Sequence, residues 1–179
     1  KLSPQGDLLL TLGKPGVVGV DRETFNRPAS VAVADNGDVF VADGEGPNNR
    51  IVKFTSEGRY LTEWGSSGSG PGQFSTPHDL AIDSQGRLFV GDRSNNRVQI
   101  FQPDGTFVAQ WDQFGRPSGI YINRSTDTLY VTDSTSNNTI NPGVNRGIYI
   151  GSARTGEVRH FIPDPDLELA EQTRISGAS

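Results

Sequence analysis

Apolar and polar positions alternate in short runs along this chain. Between residues 77 and 101, PHDLAIDSQGRLFVGDRSNNRVQIF, short apolar runs are separated by Ser84-Gln85-Gly86 and by Asp92-Arg93-Ser94-Asn95-Asn96. Runs this short suit strands rather than helices, and the Gly, Asn, Asp and Ser clusters between them supply turn geometry. The stretch predicts a β-meander with strands at 79–83, 87–91, 97–101 and 106–111. PASVAVADNGDVFVAD from Pro28 and PSGIYINRSTDTLYVTD from Pro117 repeat the pattern. They predict strands at 30–34, 39–42, 50–54 and 59–64, and at 118–122, 128–132, 146–151 and 157–162. Asn36-Gly37 reads as a hairpin turn that needs positive φ.

The three copies share a register. Pro28, Pro77 and Pro117 stand 49 and 40 residues apart, and Phe25, Phe74 and Phe114 each precede the proline by three. Asp43, Asp92 and Asp133 close the second strands, Arg50, Arg97 and Arg146 open the third, and Gly58, Gly105 and Gly156 mark the turns that follow. A period of 40 to 50 residues with four strands per unit predicts an all-β propeller of four-stranded antiparallel blades. The blades are expected at 28–65, 77–111 and 117–162. Residues 1–27 are read as the outer strand of a preceding blade (Asp7 to Gly13, DLLLTLG) and a crossing, and 163–179 as a helical turn or irregular crossing to a next blade entered at Ile175 to Ser179. Trp64 and Trp111 end consecutive outer strands at matching places, so packing between blades is expected of both.

Proline, an apolar inner strand, a hairpin turn, V-x-D, an Asn-rich turn, Arg and an apolar strand together resemble the NHL repeat of six-bladed β-propellers. The stretch DGEGPNNRIVKFTSEGRYLTEWGSSGSGPGQFSTPHDLAIDSQGRLFVGDRSNNRVQIF is most similar to the peptidyl-α-hydroxyglycine α-amidating lyases. That resemblance implies about half of a ring, a small carboxylate-bearing substrate and a metal, zinc or calcium, in the central channel. Three blades and no methionine are expected of a processed product or fragment of a longer chain; the alternative is a homodimer whose two copies close one ring.

Composition narrows the partners. The chain has 16 basic and 21 acidic residues, a net charge of −5 and no basic cluster, which disfavours a nucleic-acid partner. No apolar run approaches the roughly 20 residues of a membrane span, and the absence of cysteine excludes disulfides and thiolate metal sites. An extracellular or periplasmic location is expected. The Gly-rich run 65–73 lacks the Gly-Lys-Ser/Thr of a phosphate loop, DNGD and DSQG lack the spacing of a calcium-binding EF loop, and neither a Gly-x-Ser-x-Gly elbow nor a Cys nucleophile is present.

Three residues are candidates for chemistry. His78 opens an inner strand after Pro77, where the resemblance implies a metal-binding histidine; a neutral imidazole nitrogen can coordinate a divalent ion. Arg93 follows Asp92, where the resemblance implies a channel arginine able to hold a carboxylate bidentately. Its structural alternative is a rim salt bridge to Asp92 or Glu45. Glu45 stands where the lyases carry a catalytic tyrosine after Asp-Gly, and is read as a base or an extra metal ligand. The position of a further metal histidine, near Ala178-Ser179, holds a small residue. The repeated Asp and Arg residues are expected to be structural, and His160 to lie on an outer strand.

Three functions fit these residues: a metal-assisted lyase or hydrolase built on His78, Arg93 and Glu45; a protein- or peptide-binding propeller using the long turn Asp133 to Asn145, which also carries the glycosylation pattern Asn137-Asn138-Thr139; and a calcium-dependent lactonase of gluconolactonase type, for which the inner strands offer Asp79 and Asn123.

Overall fold

The computed structural model describes residues 1–165, and the crossing and next-blade entry expected at its far end fall largely outside them. Among the described residues, twelve strands form three four-stranded antiparallel sheets, each ordered as the chain runs. The first blade is β1 (Ser30–Val33), β2 (Val39–Asp43), β3 (Arg50–Phe54) and β4 (Tyr60–Trp64). The second is β5 (Pro77–Ile82), β6 (Leu88–Asp92), β7 (Arg97–Phe101) and β8 (Phe107–Trp111), and the third is β9 (Pro117–Asn123), β10 (Thr128–Asp133), β11 (Gly147–Ser152) and β12 (Val158–Pro163). The predicted strands are thus present, with ends shifted by a residue or two. The polar turn after β6 also holds a single 3-10 turn, Arg93–Asn95.

Why the middle strands of the second blade are buried throughout follows from the stacking. A strand sends neighbouring side chains to opposite faces, and in the second blade both faces are covered by another blade. Leu88, Val90 and Phe101 pack with Phe40, Ala42, Ile51 and Phe74 on one side. Phe89, Val98 and Ile100 pack with Phe114, Ile120, Leu129 and Val131 on the other. Phe74 and Phe114, from the crossings, are fully buried plugs in these two interfaces. The outer strands β4 and β8 instead alternate between half-buried and exposed residues, as strands covered on one face do.

Trp64 and Trp111 pack between blades as expected. The Trp64 ring lies 5.8 Å from that of Phe101, and a Cβ on Gly105 would come within 2.9 Å of the Trp64 indole. Trp111 covers Gly156 in the same way, at 2.7 Å. Both glycines have positive φ as well, so the recurring glycine is required twice over.

One expectation is corrected, and a second is met at a single residue. Asp7 to Gly13 forms no strand: Leu8 makes one isolated bridge, to Leu2, and Leu10 and Leu12 cover Gly58 where a tryptophan covers the glycine in the later blades. The packing role survives without ladder pairing, because none of the described residues offers this segment a neighbouring strand. At Asn36-Gly37 only Gly37 takes positive φ. The turn closes through Ala34, whose N–H donates to Asp38 O and whose carbonyl accepts from Gly37 N–H, so one left-handed residue suffices.

The inner strands β1, β5 and β9 lie side by side. Asp79 ties them together, accepting from Ser30 Oγ at 2.6 Å and from Ile120 N at 2.7 Å. At the opposite end of these strands Arg124 makes a two-pronged bridge to Asp35, 2.6 Å on each prong, linking the third blade to the first. No helix among the described residues is long and apolar enough to cross a membrane.

Candidate functional site

Each inner strand begins on the rim where β2, β6 and β10 end. The strand ends there are closed by a buried clasp. Asp43 accepts from Arg50 Nε at 3.0 Å and Asn48 Nδ2 at 2.7 Å, and Arg50 also donates to the carbonyls of Val20, Asp21 and Thr24 in the preceding crossing. Asp92 and Arg97 repeat it at 2.8 Å, with Arg97 gripping Ser69, Gly70 and Gln73 carbonyls. These residues are structural, as their recurrence implies. The third blade departs from the pattern: Arg146 pairs with Asp164 at 2.8 Å, and Asp133 accepts from Ser136 and from the Arg116 N–H. The crossing before that blade, residues 112–116, is the shortest of the three and gives an arginine no loop of carbonyls to grip.

Glu45, His78 and Arg93 stand beside this clasp and come together. His78 sits at a break in register, where Pro77 faces Asp92 and Asp79 faces Gly91. Such a bulge re-aims the extra side chain. The residue before Pro77, Thr76, has φ 60°, a left-handed conformation unusual for a β-branched side chain and costing about 1–3 kcal/mol. Its backbone is held there by bonds from Arg93 N–H (3.1 Å) and to Asn49 Oδ1 (2.9 Å). Gly44 abuts Pro77 so closely that a Cβ would strike the proline carbonyl, and this approach brings Glu45 to His78.

The resulting distances are 3.3 Å from His78 Nε2 to Glu45 Oε1 and 4.0 Å from Arg93 Nη1 to the same oxygen. Arg93 therefore leans toward Glu45 rather than Asp92. The 3.3 Å approach is not aligned as a hydrogen bond, and Glu45 Oε1, His78 Nδ1 and Arg93 Nε are all buried without a hydrogen-bond partner. Buried polar atoms are normally satisfied, and each one left open costs about 1–3 kcal/mol. Among the described residues Trp64 Nε1 alone shares this condition, and it lies within a blade interface.

The other candidates are accounted for. Both Asp79 oxygens are engaged, with Ser30, Leu80 and Ile120, and Asn123 caps its own turn through Ser125. Neither is open to a ligand. His160 is exposed on β12. The loop from Asp133 to Asn145 is shaped by its own bonds, Asn137 Oδ1 accepting from Thr139 N and Ile140 N at 2.8 Å each, with Ile140 exposed. Ala178 and Ser179 lie outside the described residues. Sequence reasoning passed over Arg116, which adjoins Arg93. The matching position in the first blade is also arginine, Arg27, and that recurrence disguised it.

The metal expected from the resemblance needs more donors than these residues supply. His78 and Glu45 offer one imidazole and one carboxylate, and no group of three His, Cys, Asp or Glu side chains able to hold an ion occurs among the described residues. Catalytic zinc takes three protein ligands and calcium six to eight oxygens. The described residues alone do not fit either ion.

Comparison with known proteins agrees with the blade architecture. The NHL repeat family matches residues 25–54, 74–101 and 114–140. The human NHL repeat-containing protein 3 is 41% identical over 96 residues, 52% of this chain and 28% of that protein. A probable peptidyl-α-hydroxyglycine α-amidating lyase of Caenorhabditis elegans is 37% identical over 89 residues, 48% of this chain and 25% of that one. The matches thus span about a quarter of either relative's length. The solved WD40 repeats of RRP9 superpose with a TM-score of 0.62 at 22% identity, over 78% of this chain and 39% of that one. The NHL repeat matches thus fall one in each of the three four-stranded blades, and about half of this chain is homologous to NHL repeat-containing protein 3 and to amidating lyases.

Proposed function

We propose that the Glu45, His78 and Arg93 cluster is the ligand-binding rim of a lyase-like NHL propeller acting on a small carboxylate-bearing substrate in the central channel of a six-bladed ring. The observation that carries this reading is the meeting of three polar side chains from two blades, each with a buried atom that has no hydrogen-bond partner. Arg93 supplies the carboxylate clamp: its Nε is unpartnered, and Glu45 at 4.0 Å only loosely balances its charge. His78 and Glu45, 3.3 Å apart, form a pair able to hold and pass a proton beside the bound carboxylate. The homology to amidating lyases supports a lyase over a hydrolase. Zinc or calcium would polarise the reacting group if bound, and no step here depends on it.

Calorimetric titration with butyrate, a plain small carboxylate, tests the clamp. Binding is expected in the wild-type protein and a roughly hundredfold loss in Arg93→Gln, the scale of one charge-assisted bidentate contact. Equal affinities would refute the clamp. Elemental analysis of the same preparation tests the metal. Absence of both metal and carboxylate binding would favour the protein- or peptide-binding reading, with the rim loop 133–145 as its surface.

A further inference from the structure

We propose that Arg116 forms a second anion subsite next to Arg93, so that the ligand bound at this rim is a dicarboxylate rather than a monoacid. The inference rests on the reading of Arg93 as a carboxylate clamp and extends it to the ligand's other end.

Among the described residues, every partly or fully buried arginine except Arg116 has a carboxylate within 4.0 Å: Arg50, Arg87, Arg97, Arg124 and Arg146 have one within 3.0 Å, and Arg93 has Glu45 at the limit. Arg22, Arg27 and Arg59, which also lack a carboxylate, are exposed to water and need none. Arg116 is half-buried, and its side chain has only neutral hydrogen-bond partners. Its Nε donates to Thr135 Oγ1 at 3.0 Å, while both terminal nitrogens make only long bonds: to Arg93 O at 3.3 Å, Asn96 Oδ1 at 3.4 Å and Ser94 Oγ at 3.5 Å. Charge-assisted guanidinium–carboxylate hydrogen bonds run at about 2.7–2.9 Å, and neither terminal nitrogen of Arg116 makes a bond that short.

The charge of Arg116 is destabilised in this position. Burial and the nearby Arg93 guanidinium lower its pKa, and Asp133 only partly offsets them. A chain with an excess of acidic residues has thus placed two poorly neutralised arginines on adjacent turns of one rim, and each would gain by an incoming anion. Their side chains come from different segments, the turn after β6 and the crossing before β9, so a ligand with two carboxylates can offer one to each. The hydroxyls of Ser94 and Thr135 beside Arg116 add neutral donors for the second carboxylate.

The test compares butyrate with succinate, glutarate and adipate by calorimetry on the full chain. The best diacid should bind the wild-type protein at least about tenfold tighter than butyrate, and in Arg116→Gln that ratio should fall to roughly one. Arg116→Lys, which keeps the charge, should restore part of it. A wild-type ratio below about three, or a ratio that Arg116→Gln leaves intact, would overturn the proposal. Failure of butyrate itself to bind, or butyrate binding indifferent to Arg93→Gln, would instead overturn the clamp on which it rests. The wild-type ratio needs no variant and decides the matter even if Arg116→Gln does not fold.

Discussion

Two sets of polar side chains lie next to each other on this rim and are treated in opposite ways. In the clasps, Asp43 with Arg50 and Asp92 with Arg97, every charged group is buried and engaged, and the arrangement recurs. In the cluster, Glu45, His78 and Arg93 occur once, are partly exposed, and leave three buried atoms open. Charge burial alone does not distinguish them; satisfaction does. A buried ion pair that meets all its valences holds the fold, whereas one held short of bonding is available to something else.

The largest expected effect breaks the clasp. Arg97→Met strands the Asp92 carboxylate and three crossing carbonyls, and should cost about 3–5 kcal/mol in urea unfolding. Arg146→Met, at the third blade where the clasp is absent, should cost well under about 1 kcal/mol by the same measurement, because its Asp164 partner is partly exposed. Equal costs would mean that the clasp carries no special weight.

A smaller effect sharpens the rule. Asp127 also occurs once, in the β9–β10 hairpin, yet it is buried and fully engaged, by Ser84 Oγ at 2.6 Å, Ser84 N at 3.0 Å and Arg154 Nε at 2.8 Å. The Ser84 hydroxyl, with Arg154, lowers its pKa to about 2 from 3.8. Since the folded value lies below the unfolded one, its contribution is complete above about pH 4 and is lost as the pH falls through 2. That contribution is about 2 kcal/mol. Asp127→Asn should therefore flatten the acid limb of the stability profile between about pH 4 and 2 by that amount. An unchanged acid limb would show that a single-copy, satisfied carboxylate does not support the fold as the clasps do.

The fold was legible in the sequence because a propeller repeats its instructions: the proline, the plug phenylalanine, the clasp residues and the glycine under tryptophan each appear in register. The site was legible only in part. His78 and Arg93 stood out by resemblance, and Glu45 by departing from it. That Gly44 presses Glu45 against His78, and that both groups then fail to bond, depends on backbone approach and on a bulge, which no residue pattern specifies. Recurrence misled at two points. Arg146 aligns with the clasp arginines yet grips Asp164, because what an arginine reaches depends on the length of the neighbouring crossing. Arg116 aligns with the exposed Arg27, yet is half-buried against another blade.

The most direct test of the central claim is the unfolding free energy of Arg93→Gln in urea, measured with and without butyrate. An open, unsatisfied group should be dispensable for folding, so the variant should be within about 0.5 kcal/mol of the wild-type protein without ligand, or slightly more stable. At about a hundred times its dissociation constant for the wild-type protein, butyrate should stabilise that protein by about 2.7 kcal/mol and the variant by only about 0.4 kcal/mol. A loss of about 3 kcal/mol or more in the ligand-free variant would place Arg93 with the clasps and contradict the account.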